Sequence, residues 1–402
     1  MEGASRPQRI VVAGAGYAGL RTTLRLAARL DGRRREVTLT LVDQNDYHQI
    51  LTELPRVAGG ALRADAARVP LREVLDARVR FVRADIGGFD LANRQLLTRT
   101  GPLPYDRLVL ALGSRPNDFG IPGLAERALT LWSVEDARKV LAAVDAQVAA
   151  AVGAADPEDQ RRHLTVVIGG AGATGVELAG ELAQELPALA ERHGLPTGWC
   201  RVVLVNAGPT ILAGSSPALI DRASAILADL GVVVRTNARI ARATARGFVL
   251  QSGETIEGGV FVWAGGVTAP ALIAGSCLPV GHNGRVKVDR YLRAIERPEI
   301  YVAGDLASVP DPHTGRALPP LAQVALAQGE AVAHNLLAEI EGRERAPFSF
   351  RDKGLVISVG PERGVADVAG RTLGGRLVHA LKSAIEWEYR QSVRHLRGWS
   401  PV

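Results

Sequence analysis

The chain has 402 residues, 47% of them hydrophobic, enough for two or three domains with sizeable cores. Its two cysteines, Cys200 and Cys277, exclude a disulfide framework, a four-cysteine zinc site and a cysteine-held iron–sulfur cluster, and fit a reducing, cytosolic setting. The formal net charge of +6 permits anionic ligands or a membrane surface, but 4% aromatics and the lack of a zinc-finger or RNA-binding signature speak against nucleic acid.

Residues 1–9 are polar and carry no secretory signal, and arginine clusters only at Arg33-Arg34-Arg35. An apolar strand over 9–13 runs into Gly14-Ala15-Gly16-Tyr17-Ala18-Gly19, a helical pattern through Leu30, and a second strand over 37–42 ending at Asp43. Residues 105–114 read as a buried strand ending in a turn at Gly113, and 116–123 as a connection. Residues 149–162 read as a loop or fraying helix. The opening grammar recurs with a strand over 164–169, Gly170-Ala171-Gly172-Ala173-Thr174-Gly175, a helix from Val176 to about Leu186, and a strand over 201–205 ending at Asn206.

Farther on lie strands over 260–266 and 299–305, the latter closing on Gly304-Asp305. The uncharged stretch 258–284 holds Pro270, Pro279 and seven glycines, unlike a membrane helix. A helix with Pro319-Pro320 in its N-terminal turn runs through Leu336; short strands at 355–359 and 364–368 and a basic helical tail from Arg371 follow.

Each strand, glycine turn and helix is the pattern that holds a dinucleotide. The first glycine (Gly14, Gly170) permits the tight turn, the second (Gly16, Gly172) lets backbone approach a pyrophosphate, and the third (Gly19, Gly175) lets helix pack on strand. Asp43 would accept hydrogen bonds from ribose hydroxyls. Asn206, in the matching place of the second unit, removes a charge that would repel a 2′-phosphate, yet no arginine follows to hold one. NADH and NADPH therefore both stay open as donors, with a lean to NADH.

Two such units in one chain, with a late Gly-Asp, organise flavoproteins that pass a hydride from NAD(P)H to FAD. The matching stretches are the first fingerprint, Tyr47-His48, Leu54-Pro55-Arg56-Val57-Ala58, residues 105–114, residues 168–181, residues 261–267, residues 300–305 and Leu321-Ala322-Gln323-Val324-Ala325. On these the chain resembles the type II NADH dehydrogenases, the single-chain NADH:quinone oxidoreductase branch of the two-dinucleotide-domain flavoprotein reductases, over most of its length up to about residue 360. The resemblance implies an α/β fold of two Rossmann-like domains, the second inserted in the first, with FAD and NAD(P)H as cofactors and a quinone as electron acceptor. The expected divisions are 1–121 and 265–345 for FAD, 122–264 for NAD(P)H, and 346–402 for a C-terminal region. With no cysteine before Cys200, no redox disulfide is expected beside the flavin.

Carried over residue by residue, Gly113, Gly304, Asp305 and Ala322 join the FAD set, and Gly265 joins Gly170, Gly172, Gly175 and Asn206 on the NAD(P)H side. A helix cap is the plain alternative for Asp305. The N–H groups of Ala322 and Gln323 would face the flavin edge that becomes anionic on reduction. Glu177 matches a glutamate beside nicotinamide and flavin, although a glutamate in a helix's first turn is favoured by the macrodipole anyway. Gln323 matches a quinone-proximal glutamine, but Ala327 stands where relatives carry a second polar group. That departure keeps open a reductase feeding a small redox protein, and, as a third reading, a redox-responsive protein that keeps both dinucleotides as ligands.

In the tail, Leu377, Leu381 and Ile385 fall at i, i+4, i+8 near Lys382, Arg390, Arg394 and Arg397, with Trp387 and Trp399 as anchors, while Glu386 and Glu388 interrupt the apolar face. A membrane surface, the protein's own body and a homodimer partner are the alternatives for this tail. The expected location is cytoplasmic, peripheral on the inner face of the cell membrane. No metal constellation is suggested.

Overall fold

The computed structural model describes residues 6–30, 37–312 and 314–395; the Arg33-Arg34-Arg35 run, Arg397 and Trp399 lie outside them. The fold is α/β, built on two parallel sheets. In the first, the strand order in space is Arg293–Ala294, Arg297–Val302, Arg107–Leu110, Gln8–Ala13, Val37–Asp43, Val79–Arg83, all parallel except the first edge strand. Its central strands read as nearly unbroken apolar runs because helices or loops cover both faces, and Ile10, Val12, Leu41 and Leu108 are fully buried. Helix Tyr17–Arg29 packs along helix Ala322–Ile340 on one of those faces.

The second sheet runs Leu129–Thr130, Val260–Trp263, Thr165–Gly169, Arg201–Val205, Val233–Arg235, again parallel. In both sheets the glycine turn follows the central strand and lies between its two parallel neighbours. Ala13 is paired with both Val42 and Leu110, as Gly169 is with Val205 and Trp263. A third, antiparallel sheet of Leu355–Ser358, Gly364–Val368 and Arg371–Gly375 carries the last helix, Arg376–His395.

Several elements differ from the sequence reading. Residues 149–153 close helix Val134–Gly153 and, after a break at 154–156, helix Pro157–His163 follows: a reciprocal Ser133–Asp136 capping box starts the first helix, and Pro157 sits in the opening turn of the second. Helix Ala173–Arg192 continues through Pro187 because the apolar period goes on to buried Leu189 and Ala190. Pro319 and Pro320 precede their helix: Leu321 is extended and the helix opens at Ala322. Residues 371–375 are a strand, so the tail helix begins at Arg376.

Candidate active site

The two glycine turns are nearly superimposable in their constraints. Gly14 (φ +104°) and Gly170 (φ +107°) take a left-handed backbone, and a Cβ on either would strike the carbonyl of the neighbouring strand's exit, Ala111 and Ala264 respectively. A Cβ on Gly19 or Gly175 would overlap the carbonyl oxygen of Gly14 or Gly170. Gly16 and Gly172 face open space, and each caps its helix with no side-chain hydrogen bond and no acidic residue in the first turn. Both helices thus present unspent N–H groups and a positive dipole end, the arrangement that takes a phosphate.

The first turn opens on a cleft of about 700 Å³ that also touches Asp43, Gly113, Arg115, Gly304 and Asp305. It fits a long, doubly anionic dinucleotide: the Gly16 backbone is bare, Arg115 and Lys139 supply positive charge along the wall, and Gly304 and Asp305 line it beside Ala18. Asp43 Oδ2 accepts the Ala15 N–H at 2.7 Å and Oδ1 accepts Asn45 N–H at 2.8 Å; burial raises its pKa, opposed mainly by these bonds. Asp305 accepts the Ser114 hydroxyl at 2.7 Å and makes no cap, and burial raises its pKa also. Gln328, fully buried, accepts the Gly304 N–H at 2.6 Å and so fixes the turn that presents Asp305. Arg115, Lys139 and Gln328 escaped the sequence reading because only the fold brings them to the cleft.

Helix Ala322–Ile340 begins without a side-chain cap, which leaves the Ala322 and Gln323 N–H groups unspent by the helix. The Gln323 side chain reaches away from that end: Nε2 donates to Asp352 at 3.0 Å and to the Gly354 carbonyl at 3.1 Å, and Oε1 accepts from Lys353 N–H. Asn206 is tied to its own loop, donating to the carbonyls of Thr210 (2.6 Å) and Gly208 (3.2 Å). Gly265 lies under the Trp263 ring, where a Cβ would overlap the indole.

Glu177 is the fifth residue of its helix, past the first turn, so the macrodipole does not account for it. It is buried, accepts Ser358 N–H at 3.2 Å and forms an ion pair with Lys382 of the last helix. Burial works against the Lys382 ammonium, yet Glu177 and Glu386 hold its pKa above the ordinary lysine value. Arg390, one helical turn beyond Glu386, donates to Glu53 at 2.7 Å, and Arg56 lies 3.4 Å from the same carboxylate. Lys382, Glu386 and Arg390 therefore face inward, and Glu386 does not interrupt the apolar face as the sequence reading held. Leu377, Leu381, Ile385 and Trp387 stay exposed on the other side of the helix.

The same helix reaches the first glycine turn. Tyr389 Oη lies 2.8 Å from His48 Nε2, and His48 Nδ1 lies 2.8 Å from the Ala15 carbonyl. The carbonyl only accepts, so Nδ1 carries the proton and Nε2 accepts from the tyrosine. Burial drives the His48 pKa down to about 4, keeping it neutral in this role. Both cysteines are free; Cys200 is half-buried, with its pKa pushed up to about 11 by burial, while Cys277 is exposed.

Comparison with known proteins agrees with this geometry. The pattern defining the pyridine nucleotide-disulphide oxidoreductase family matches residues 8–329. The type II NADH:quinone oxidoreductases of Staphylococcus haemolyticus and Staphylococcus aureus (strain NCTC 8325) are each 32% identical over 383 residues, covering 94% of this chain and 94% of theirs. The fold is similar to NDH2 from Plasmodium falciparum in complex with NADH (TM-score 0.87, 18% identity, 98% of this chain and 96% of that one). It is also similar to the sulfide:quinone oxidoreductase of Aquifex aeolicus (TM-score 0.79, 18% identity, 97% and 92%). With two matched glycine turns, one dinucleotide cleft and relatives alike over nearly their whole length, the chain belongs to the type II NADH:quinone oxidoreductase branch of the pyridine nucleotide-disulphide oxidoreductase family.

Proposed function

We propose that this protein oxidises NADH and reduces a quinone through bound FAD, without a redox disulfide. The observation that carries the reading is one cleft joining the first glycine turn to Gly304-Asp305. FAD, when bound, would supply the two-electron chemistry that couples nicotinamide oxidation to quinone reduction.

The protein's own residues bind and orient. The N–H groups behind Gly16 would hold the FAD pyrophosphate, with Arg115 adding charge, while Asp43 would take the ribose and Asp305 the ribityl region. Gly113 leaves the wall open, and the unspent N–H groups of Ala322 and Gln323 would favour negative charge at the flavin edge. Gly170, Gly172 and Gly175 would hold the NADH pyrophosphate, with Gly265 alongside and the Asn206 side-chain oxygen available to a ribose hydroxyl. Glu177, fixed by Ser358 N–H and Lys382, would orient nicotinamide and take part in proton supply. Gln323 would stand at the quinone side, held by the 352–354 loop.

We infer a division into 1–121 and 265–345 for FAD, 122–264 for NAD(P)H, and 346–402 as the C-terminal region, and the two separate parallel sheets support it. No described helix is long and apolar enough to cross a membrane. The exposed row Leu377, Leu381 and Ile385 supports peripheral contact of the last helix with a membrane, on the cytoplasmic side.

Steady-state turnover with NADH and NADPH against a panel of quinones tests the reading, together with anaerobic bleaching of the flavin by NADH. Bleaching with NADH and quinol formation are expected. Electron transfer to a ferredoxin with no quinone turnover would select the small-redox-protein reading instead, and absence of bleaching would leave a non-enzymatic binder.

A further inference from the structure

Three separate stretches of chain deliver a knot of buried charge next to the cleft. The turn and short helix of Leu51–Glu53 and Leu54–Ala58 bring Glu53 and Arg56, helix Ala173–Arg192 brings Glu177 and Glu181, and helix Arg376–His395 brings Lys382, Glu386 and Arg390. Glu53 is 2% exposed, Glu181 2% and Glu386 6%. Four carboxyls thus face three cations, and an unmatched buried carboxylate costs several kcal/mol, so electroneutrality asks for one bound proton.

The contacts say where that proton resides. Glu53 has both arginines and Glu177 has Lys382. Glu386 lies 3.7 Å from Lys382 and 3.9 Å from Arg56, and one of its oxygens has no hydrogen-bond partner. Glu53 and Glu386 also face each other, so the charge on one disfavours charge on the other. Glu181, whose Oε1 is buried with no partner, is faced by Arg56, Glu177, Lys382 and Glu53. Toward solvent, half-buried His379 is faced by Arg56, Lys382 and Glu362. The knot adjoins the cleft: Leu51 and Tyr17 line it, and both Glu53 and Glu386 face Tyr17.

We propose that Glu386, with Glu53 and Glu181, is a proton-storage site that supplies the proton quinone reduction draws from the medium, passing it through the Lys382–Glu177 pair. This rests on the function proposed above. In that reaction NADH, one proton and quinone give NAD⁺ and quinol. The carboxyl O–H of Glu386 breaks, the proton reaches the quinol oxygen by way of the pair, and the carboxylate regains one proton from solvent. One stored proton therefore matches one proton consumed per turnover. Burial, ahead of the neighbouring carboxylates, raises the Glu386 pKa to about 8 and the Glu181 pKa to about 7, so the store is loaded near neutrality and empties as pH rises.

Two measurements on the FAD-loaded protein test this. Infrared spectra with isotope-labelled glutamate, taken from about pH 6 to about pH 9, should show a protonated buried carboxyl that fades as pH rises and is lost in Glu386→Gln. Absence of that band from the wild-type protein at neutral pH overturns the proposal even if the variant fails to fold. In stopped flow, Glu386→Gln should leave flavin bleaching by NADH unchanged and slow reoxidation by quinone at least about tenfold, the low side of what a positioned proton donor supplies. The pH dependence of reoxidation should flatten with it. Glu362→Gln, at an exposed carboxylate paired with Arg376, should match wild type. Equal slowing of both half-reactions, or loss of flavin, marks a structural role and overturns the proposal. A carboxyl band with no quinone turnover in the wild type leaves the buried proton standing and overturns the function it was assigned.

Discussion

In the first glycine unit the strand beyond the helix ends on Asp43, whose carboxylate takes the Ala15 N–H; in the second it ends on Asn206, whose amide is spent on the carbonyls of Gly208 and Thr210. The first turn is braced from outside by His48 and Tyr389, while the second unit's helix turns Glu177 and Glu181 into a charged interface. The glycines impose one backbone geometry on both turns. What surrounds them decides that one is held by the Asp43 carboxylate and the neutral His48–Tyr389 pair and the other borders the buried charge cluster. On the function proposed above, that difference separates a turn made to retain a cofactor from one made to meet a donor that comes and goes.

The largest effect separating the two turns should come from their third glycines. Gly19→Val puts side chain into the Gly14 carbonyl, at a cost above about 4 kcal/mol, and should yield protein with almost no flavin by absorbance ratio. Gly175→Val should retain flavin and lose its bleaching by NADH; equal loss of flavin in both would erase the distinction between a retaining turn and a visiting one.

Acid and alkali should strike opposite sides of the comparison. His48 has a folded pKa of about 4 against an ordinary 6.5, so its contribution is fully present above 6.5 and lost as pH falls through about 4. At most about 3 kcal/mol is at stake, and His48→Gln should flatten the acid limb of a stability–pH curve measured by denaturant unfolding. Glu181 and Glu386 carry raised values, so their contribution is fully present below the ordinary 4.5 and lost as pH rises through about 7 and about 8.

Tyr389→Phe should cost about 1 to 3 kcal/mol, because His48 Nε2 is left buried without a donor. Thermal unfolding with and without added FAD should show the loss, and a flavin affinity unchanged by the substitution would show that the brace does not reach the turn. The smallest effect concerns the donor. Asn206→Asp places a negative charge where a 2′-phosphate would lie, and should raise the NADH over NADPH ratio of kcat/KM by up to about tenfold, or 1.4 kcal/mol.

The glycine turns were legible in the sequence because each glycine answers a constraint set within a few residues or by the next strand. Asp43 could be read for the same reason, since it ends a strand, and Asp305 because it follows a glycine turn just past the strand that ends at Val302. The charged interface was not legible, because Glu53, Glu181 and Glu386 meet only through tertiary packing. A signal existed nonetheless: Lys382, Glu386 and Arg390 repeat at i, i+4, i+8 on the side of the helix opposite Leu377, Leu381 and Ile385. Two stripes on one helix mean two partners, whereas the sequence pattern alone sets Lys382 and Arg390 beside the apolar row and Glu386 as a break in it. Residues 371–375 were read as tail because their pairing partner, Gly364–Val368, makes them a strand while their own composition does not.

The His48–Tyr389 bond joins residues 341 positions apart, and strand Arg107–Leu110 takes its outer parallel neighbour from Arg297–Val302. Synthesis runs from the N-terminus, so a ribosome that has not yet reached Arg293 has made the first glycine turn but neither its bracing tyrosine nor the far edge of its sheet. Closing contacts of that span is slow and unrewarded until the end. Maturation of the flavin site is therefore a late, post-translational event, and the inserted second unit, whose sheet closes within residues 129–263, completes its fold first.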